Sequence, residues 1–262
     1  MKKNILLLLT IVLTQFISAQ NDSIKRKETW LDFQVVQHFG LDQWSNIGYI
    51  NDGFSRTAFT ELRAIGNYNL GNPYVGAFID MGAGLMPAPK MKSLNLDNLP
   101  MPYSGKQYYL REILSESGKN GTSPHFKMTF GLFGTIPAKE NLSVMSYFGI
   151  GFITMPQREY EIILKEQDSN MQYKTTYIWN YKNDDSSNNY KTALGYLTGR
   201  LSLKHKISSK SNLLVGLEYT YFFSTLDFYA KYTNTFNANI ERDFIITGNK
   251  MNMFGISVGI SL

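Results

Sequence analysis

From Trp30 onward the chain alternates apolar and polar residues with a period of two, the spacing that sends successive side chains of a strand to opposite faces. Eight segments carry the alternation: Trp30 to Phe39, Thr57 to Leu70, Tyr74 to Leu85, His125 to Ile136, Leu142 to Thr154, Thr192 to Lys206, a seventh starting at Leu213, and Met251 to Leu262. The connections also alternate. Those after the second, fourth and sixth segments are short turns at Gly71-Asn72-Pro73, Pro137 to Asn141 and Ser208 to Asn212. The others are long, covering about 40–56, 86–122, 155–190 and 224–248. Short turns on one side and long loops on the other predict an all-β, transmembrane, antiparallel up-and-down β-barrel of eight strands over residues 29–262.

The two faces of these strands differ in kind. One carries Leu31, Phe33 and Val35, then Leu62, Ile79, Met81, Phe130, Leu132, Phe148 and Ile150, and continues through Leu201, Leu217, Ile256 and Ile260 without a charge. The opposite face carries Asp32, Glu61, Arg63, Asp80, Lys127, Arg200, Lys204 and Glu218 among many glycines. A soluble barrel would turn its apolar face inward and its charges to water. Here the charged face is nearly balanced and rich in small residues, which suits a packed lumen. A basic residue facing lipid at the bilayer midplane costs about 2–4 kcal/mol, so a charge-free face across eight strands fits lipid outside.

Ten strands are the alternative, with Glu159 to Gln167 and Tyr173 to Lys182 as two further spans. Tyr160 to Glu166 has no clean apolar face, so eight is preferred and this pair is expected as a hairpin beyond the bilayer. Leu226 to Thr233 and Ile240 to Thr247 are expected to form another.

The first residues supply a route. Lys2-Lys3, an apolar run from Ile5 to Leu13 broken only by Thr10, and Ser18-Ala19-Gln20 have the order of a secretory signal, too short to span a bilayer as a helix. Residues 1–19 are expected to be removed, leaving 20–28 as a short periplasmic lead. Without Lys2 and Lys3 the basic count falls from 26 to 24 against 21 acidic residues, near +3, and nothing points to nucleic acid. The chain has no cysteine, so no disulfide and no lipid anchor. Seventeen Tyr, seventeen Phe and twenty-one Gly favour strands and turns.

Candidate chemistry is sparse. Asp32, Glu61, Arg63, Asp80, Lys127, Arg200 and Glu218 face a lumen that side chains fill in a barrel of this size, so they are expected to pair as a structural network; a narrow ion path is the competing reading. His38 and His125 lie near the outer ends of their strands and offer a rim site, either for a metal or, with Asp42 and Ser123, for an enzyme. Such ingredients occur by chance in polar loops. No cofactor is expected. The long loops hold Tyr103, Tyr108 and Tyr109, then Tyr173, Tyr177, Trp179 and Tyr181, residues that anchor interfaces.

With signal, eight alternating strands, loop asymmetry, polar lumen and apolar last strand in place, the chain resembles the small outer-membrane β-barrel superfamily, OmpA-type, OmpX-type or the PorT-like barrels of Bacteroidota. Its Ser-Ala-Gln signal end is similar to exported proteins of that phylum. Leu262 stands where the usual terminal residue is aromatic, and no cell-wall-binding domain is expected after it. The resemblance implies an outer-membrane location with both chain ends periplasmic, contact with lipid and lipopolysaccharide, and a role as a binding, adhesion or accessory component beside another envelope protein. It carries no residue-specific motif. An enzyme acting on lipid A or surface peptides and a narrow pore are the alternatives.

Overall fold

The structure, a computed structural model, describes residues 29–40, 58–72, 74–87, 101–116, 122–156, 158–179, 191–225, 228–246 and 250–262. The expected signal and lead, residues 1–28, and Asp42 lie outside them. Thirteen strands are formed: β1 (Thr29–Gly40), β2 (Ala58–Asn72), β3 (Val75–Pro87), β4 (Tyr108–Glu116), β5 (Thr122–Lys139), β6 (Leu142–Pro156), β7 (Arg158–Glu166), β8 (Gln172–Trp179), β9 (Lys191–Lys206), β10 (Asn212–Thr225), β11 (Phe228–Asn234), β12 (Ile240–Ile246) and β13 (Lys250–Ser261).

Eight of them close into an antiparallel barrel in the order β1-β13-β10-β9-β6-β5-β3-β2. These are the eight alternating segments. The ladder register fixes the geometry of closure. From Trp30 the pairing runs through Asn67, Phe78, Gly131, Gly149, Thr198, Thr220 and Met253 and returns to β1 at Gly40, ten residues along the strand. Eight strands with a shear of ten, at 3.3 Å rise and 4.7 Å spacing, tilt by about 40° and set the Cα cylinder at a radius of about 8 Å.

The alternation read from the sequence maps directly onto inside and outside. Leu31, Phe33, Val35, Leu62, Ile79, Met81, Phe130, Leu132, Phe148, Ile150, Leu201, Leu217, Ile256 and Ile260 all lie exposed on the outer wall, whereas Asp32, Glu61, Arg63, Asp80, Lys127, Arg200 and Glu218 are buried inside. Exposed aliphatic and aromatic side chains around a closed wall, with charges within, make a surface that lipid solvates. Among the described residues no helix is long and apolar enough to cross a membrane; the crossing elements are strands.

Barrel hairpins are tight at the turn end. Gly71 adopts φ +69°, the left-handed conformation that favours glycine, in the β2–β3 turn. Both β1 and β13 have their outer limits of the barrel sequence, Thr29 and Ser261, at this same end.

The remaining strands form a second sheet in the order β12-β11-β8-β7-β4. The pairs β7–β8 and β11–β12 are the two hairpins expected from the long loops, and the ten-strand alternative is corrected: β7 and β8 do not enter the barrel. β4 is a strand that alternation does not predict. Register shifts between Leu110 and Glu112 and between Ile113 and Ser115 break its period of two, and with it the only local signal.

Some inward positions are glycine because another element occupies the space. Gly131 and Gly149 face each other across β5 and β6, and the Phe78 ring lies on the pair. A Cβ on Gly131 would stand 2.1 Å from the Phe148 carbonyl oxygen and 2.7 Å from the Phe78 ring. Gly131→Val is therefore expected to cost more than about 3 kcal/mol and to abolish the heat-modifiable mobility of the folded barrel on electrophoresis.

Candidate functional site

Inside the barrel three tiers succeed one another from the turn end to the loop end. The first is apolar: Ile65, Phe78, Phe133, Met145 and Tyr147 form one buried cluster with Trp30 packed against it. Trp30 meets Phe133 edge-on at 5.2 Å, and Phe78 meets Tyr147 likewise at 5.2 Å. Asp32 sits at this level and accepts hydrogen bonds from Asn67 Nδ2 at 2.9 Å and from the Tyr147 hydroxyl at 3.3 Å.

The second tier is ionic and is organised by Arg63. Its guanidinium donates to Glu61 Oε1 at 2.9 Å and to Glu218 at 2.5 and 3.2 Å, and its Nε lies 3.4 Å from Asp80 Oδ1. One planar fork thus ties β2 to β3 and, across the lumen, to β10. Lys127 from β5 donates to Glu218 Oε1 at 2.5 Å, and Arg200 from β9 reaches Asp80 at 3.5 Å while its guanidinium carbon lies 4.1 Å from the Tyr147 ring centre. All these side chains are buried. Three cations face three carboxylates, Glu61, Asp80 and Glu218, so the tier is balanced.

The third tier closes the lumen toward the loops. Phe59, Met86, Ile153, Leu194, Phe222 and Met253 stand at inward positions nearer the loop ends of their strands, and each is buried. His38 and His125 belong with this tier. Both stand near the loop ends of their strands, and both imidazoles point inward, 0% and 3% exposed. Each Nε2 approaches the same oxygen, Glu61 Oε2, at 3.4 and 3.5 Å. Each ring also packs on Phe59, one stacked and one edge-on, both at 4.7 Å. The pair thus converges on one carboxylate oxygen and one phenyl ring. Among the described residues no group of three or more His, Asp or Glu side chains is arranged to hold a metal. Asp42 and the Ser123 side chain, the companions an enzyme would need, lie outside what the structure describes.

Parity alone placed the charged members of this interior. Tyr147, Tyr196, Thr129 and Thr220 complete it, and the same parity would have found them: Tyr196 pairs its hydroxyl with Thr129 Oγ1 at 2.7 Å, and Thr220 donates to Glu218 at 3.3 Å.

The five-stranded sheet is the other candidate site. It draws β4, the β7–β8 hairpin and the β11–β12 hairpin from three different long connections of the barrel. Ile162, Leu164, Tyr173, Thr175, Tyr177, Ala230 and Tyr232 share its buried face. Tyr103 and Tyr108 meet Tyr173 at 6.1 and 5.9 Å, and Tyr177 meets Tyr232 at 6.4 Å. Burial pushes the Tyr173 phenol up to about 12. Arg242 of β12 donates to the Pro102 carbonyl at 3.4 Å, so the far edge strand reaches the segment that leads into β4. The three connections are also laced at one end, where Gln167 N donates to Gln107 O at 2.9 Å and Thr235 N to Gln172 O at 3.0 Å.

Lys106 fastens the segment before β4 onto the sheet through Glu166, 2.6 Å away. The Lys106 ammonium holds the Glu166 carboxyl below the usual carboxylate range against the opposing effect of burial, and Glu166 in turn raises Lys106. A lowered carboxylate contributes above its ordinary value and loses that contribution as pH falls through the lowered one. Protection of the Gln167 amide against hydrogen exchange is therefore expected to hold above the ordinary carboxylate range and to fall as the pH drops through the lowered one, and Lys106→Met is expected to remove that dependence. In the lumen, Arg63→Met leaves Glu61, Asp80 and Glu218 without their common partner. It is expected to cost about 3–5 kcal/mol, measured as a lowered urea midpoint of the barrel in micelles.

No family model matches the chain, and no curated protein sequence matches it. Among solved structures it is similar to neisserial surface protein A, with a TM-score of 0.44 and 6% identity over 90% of this chain and 97% of that one. A major outer membrane protein from Thermus thermophilus gives 0.44 and 8% over 90% and 99%. Ail, the attachment invasion locus protein of Yersinia pestis, gives 0.38 and 10% over 91% and 100%. At these scores the likenesses carry no weight for function; the barrel assignment rests on strand order, register and the inside-out distribution of charge.

Proposed function

We propose that the protein is a non-enzymatic outer-membrane barrel that binds another component of the cell envelope through its five-stranded sheet. The turn end and both chain ends face the periplasm in this reading, and the sheet stands outside the cell. The observation that carries it is the pooling of three long connections into one hydrogen-bonded sheet with a packed tyrosine core. Long loops that serve only as connections do not acquire a common fold, whereas a recognition surface gains from being pre-organised. The filled lumen supports the same reading. An ionic tier fully engaged with itself, between two apolar tiers, favours a structural plug over an ion path.

Purification of the tagged protein from native membranes in mild detergent tests this. A stoichiometric companion is expected with the intact chain. It is expected to be lost when Arg158–Trp179 and Phe228–Ile246 are each replaced by a short turn, while heat-modifiable mobility shows the barrel still folded. A companion retained by that variant would move the binding surface to the barrel wall and refute the role of the sheet. Current steps in planar bilayers at the size of an open pore would refute the plug.

A further inference from the structure

At the turn end the barrel opens into a cavity of about 750 Å³, within the range of small-molecule sites and used by neither the ionic tier nor the sheet. Two of the tight turns surround it, Pro137 to Asn141 and Ser208 to Asn212. Four lysines line it, Lys139, Lys204, Lys206 and Lys210, against one acidic side chain, Glu140. Lys204 and Lys206 are successive inward positions of β9, below Arg200 and Ser202. Their placement is not dictated by the wall, whose outward positions are the ones that meet lipid.

Two buried donors lie in the wall behind the lysines. Trp30 lines it, and its indole N–H, which can only donate, is buried without an acceptor. Ser261 also lines it, is 1% exposed, and has a hydroxyl with no hydrogen-bond partner among the described residues. Lys204 Nζ stands over the Trp30 ring, 4.8 Å from its centre, at the wall of the cavity. Four ammonium groups around one space, against a single carboxylate side chain, are complementary to an acceptor with negative charge.

We propose that this cavity binds a multiply charged soluble anion bearing carboxylate or phosphate groups, which enters from water along the barrel axis. The site is at the opposite end from the sheet and does not depend on the role assigned to it. Electrostatic attraction by the lysine ring brings the anion in, and the ammonium groups of Lys139, Lys204, Lys206 and Lys210 are the donors that line its space.

The test uses the full barrel in uncharged maltoside micelles at low ionic strength, titrated with fluorescein-labelled hexa-aspartate and followed by anisotropy. Saturable binding is expected, weakened by added salt and displaced by inorganic pyrophosphate. Lys206→Gln with Lys210→Gln, both at exposed positions, is expected to weaken it at least tenfold. Heat-modifiable mobility is expected to confirm that this variant remains a folded barrel. Binding that does not saturate, or that the lysine pair leaves unchanged, would overturn the proposal. Displacement by phosphatidylglycerol added to the micelles but not by pyrophosphate would overturn it too, by moving the anion site to the lipid-facing wall.

Discussion

An eight-stranded cylinder with a shear of ten encloses a space that its own inward side chains fill, and a charge placed there has no bulk water to turn to. Each inward carboxylate must therefore find a donor within the lumen, as Asp32 does in Asn67 and Tyr147. Arg63 meets that demand for three of them at once, Glu61, Asp80 and Glu218, because a planar fork presents donors in several directions. Lys127 and Arg200 neutralise what remains of Glu218 and Asp80. The apolar tiers on either side keep water from the network, which makes each pair costly to break and leaves little room for ions to pass.

Lipid imposes the complementary constraint on the outer wall, and together the two explain how much of the fold was legible. A residue that must not be charged outside and must be small or paired inside leaves a strict period of two. Leu31 against Asp32, Leu62 against Glu61 and Arg63, and Ile79 against Asp80 are each readable from neighbours in sequence. Strand number followed from that period, and the tight turns separated the two ends. What parity does not contain is register around the cylinder. That Arg63 would reach Glu218, 155 positions away, depends on the shear, which no local pattern encodes.

The same limit explains the histidines and the sheet. His38 and His125 read as rim residues because they stand near strand ends, yet the tilt of the strands carries the inward positions of β1, β2 and β5 to one level, where both rings meet Glu61 and Phe59. β4 escaped notice because its bulges erase alternation, and pairing with β7 alone makes it a strand. The two hairpins were visible; that they would join one another through β8 and β11 was not, since the pairing of Phe228 with Trp179 links segments from separate connections.

Two kinds of order thus coexist in one chain, and they answer to different solvents. The barrel is held by lipid outside and by ion pairing inside, so its outer wall and its ionic tier are committed to stability. The sheet grows from strand ends and owes its order to buried tyrosines and to the lacing of Gln107, Gln167, Gln172 and Thr235. Substitutions on its solvent face do not reach the ionic tier, because the buried layer of Phe59, Met86, Ile153, Leu194, Phe222 and Met253 lies on the loop side of that tier. A surface that can vary without loosening its anchor is suited to recognition, and a plugged cylinder is suited to anchoring. The division of labour follows from where water is allowed.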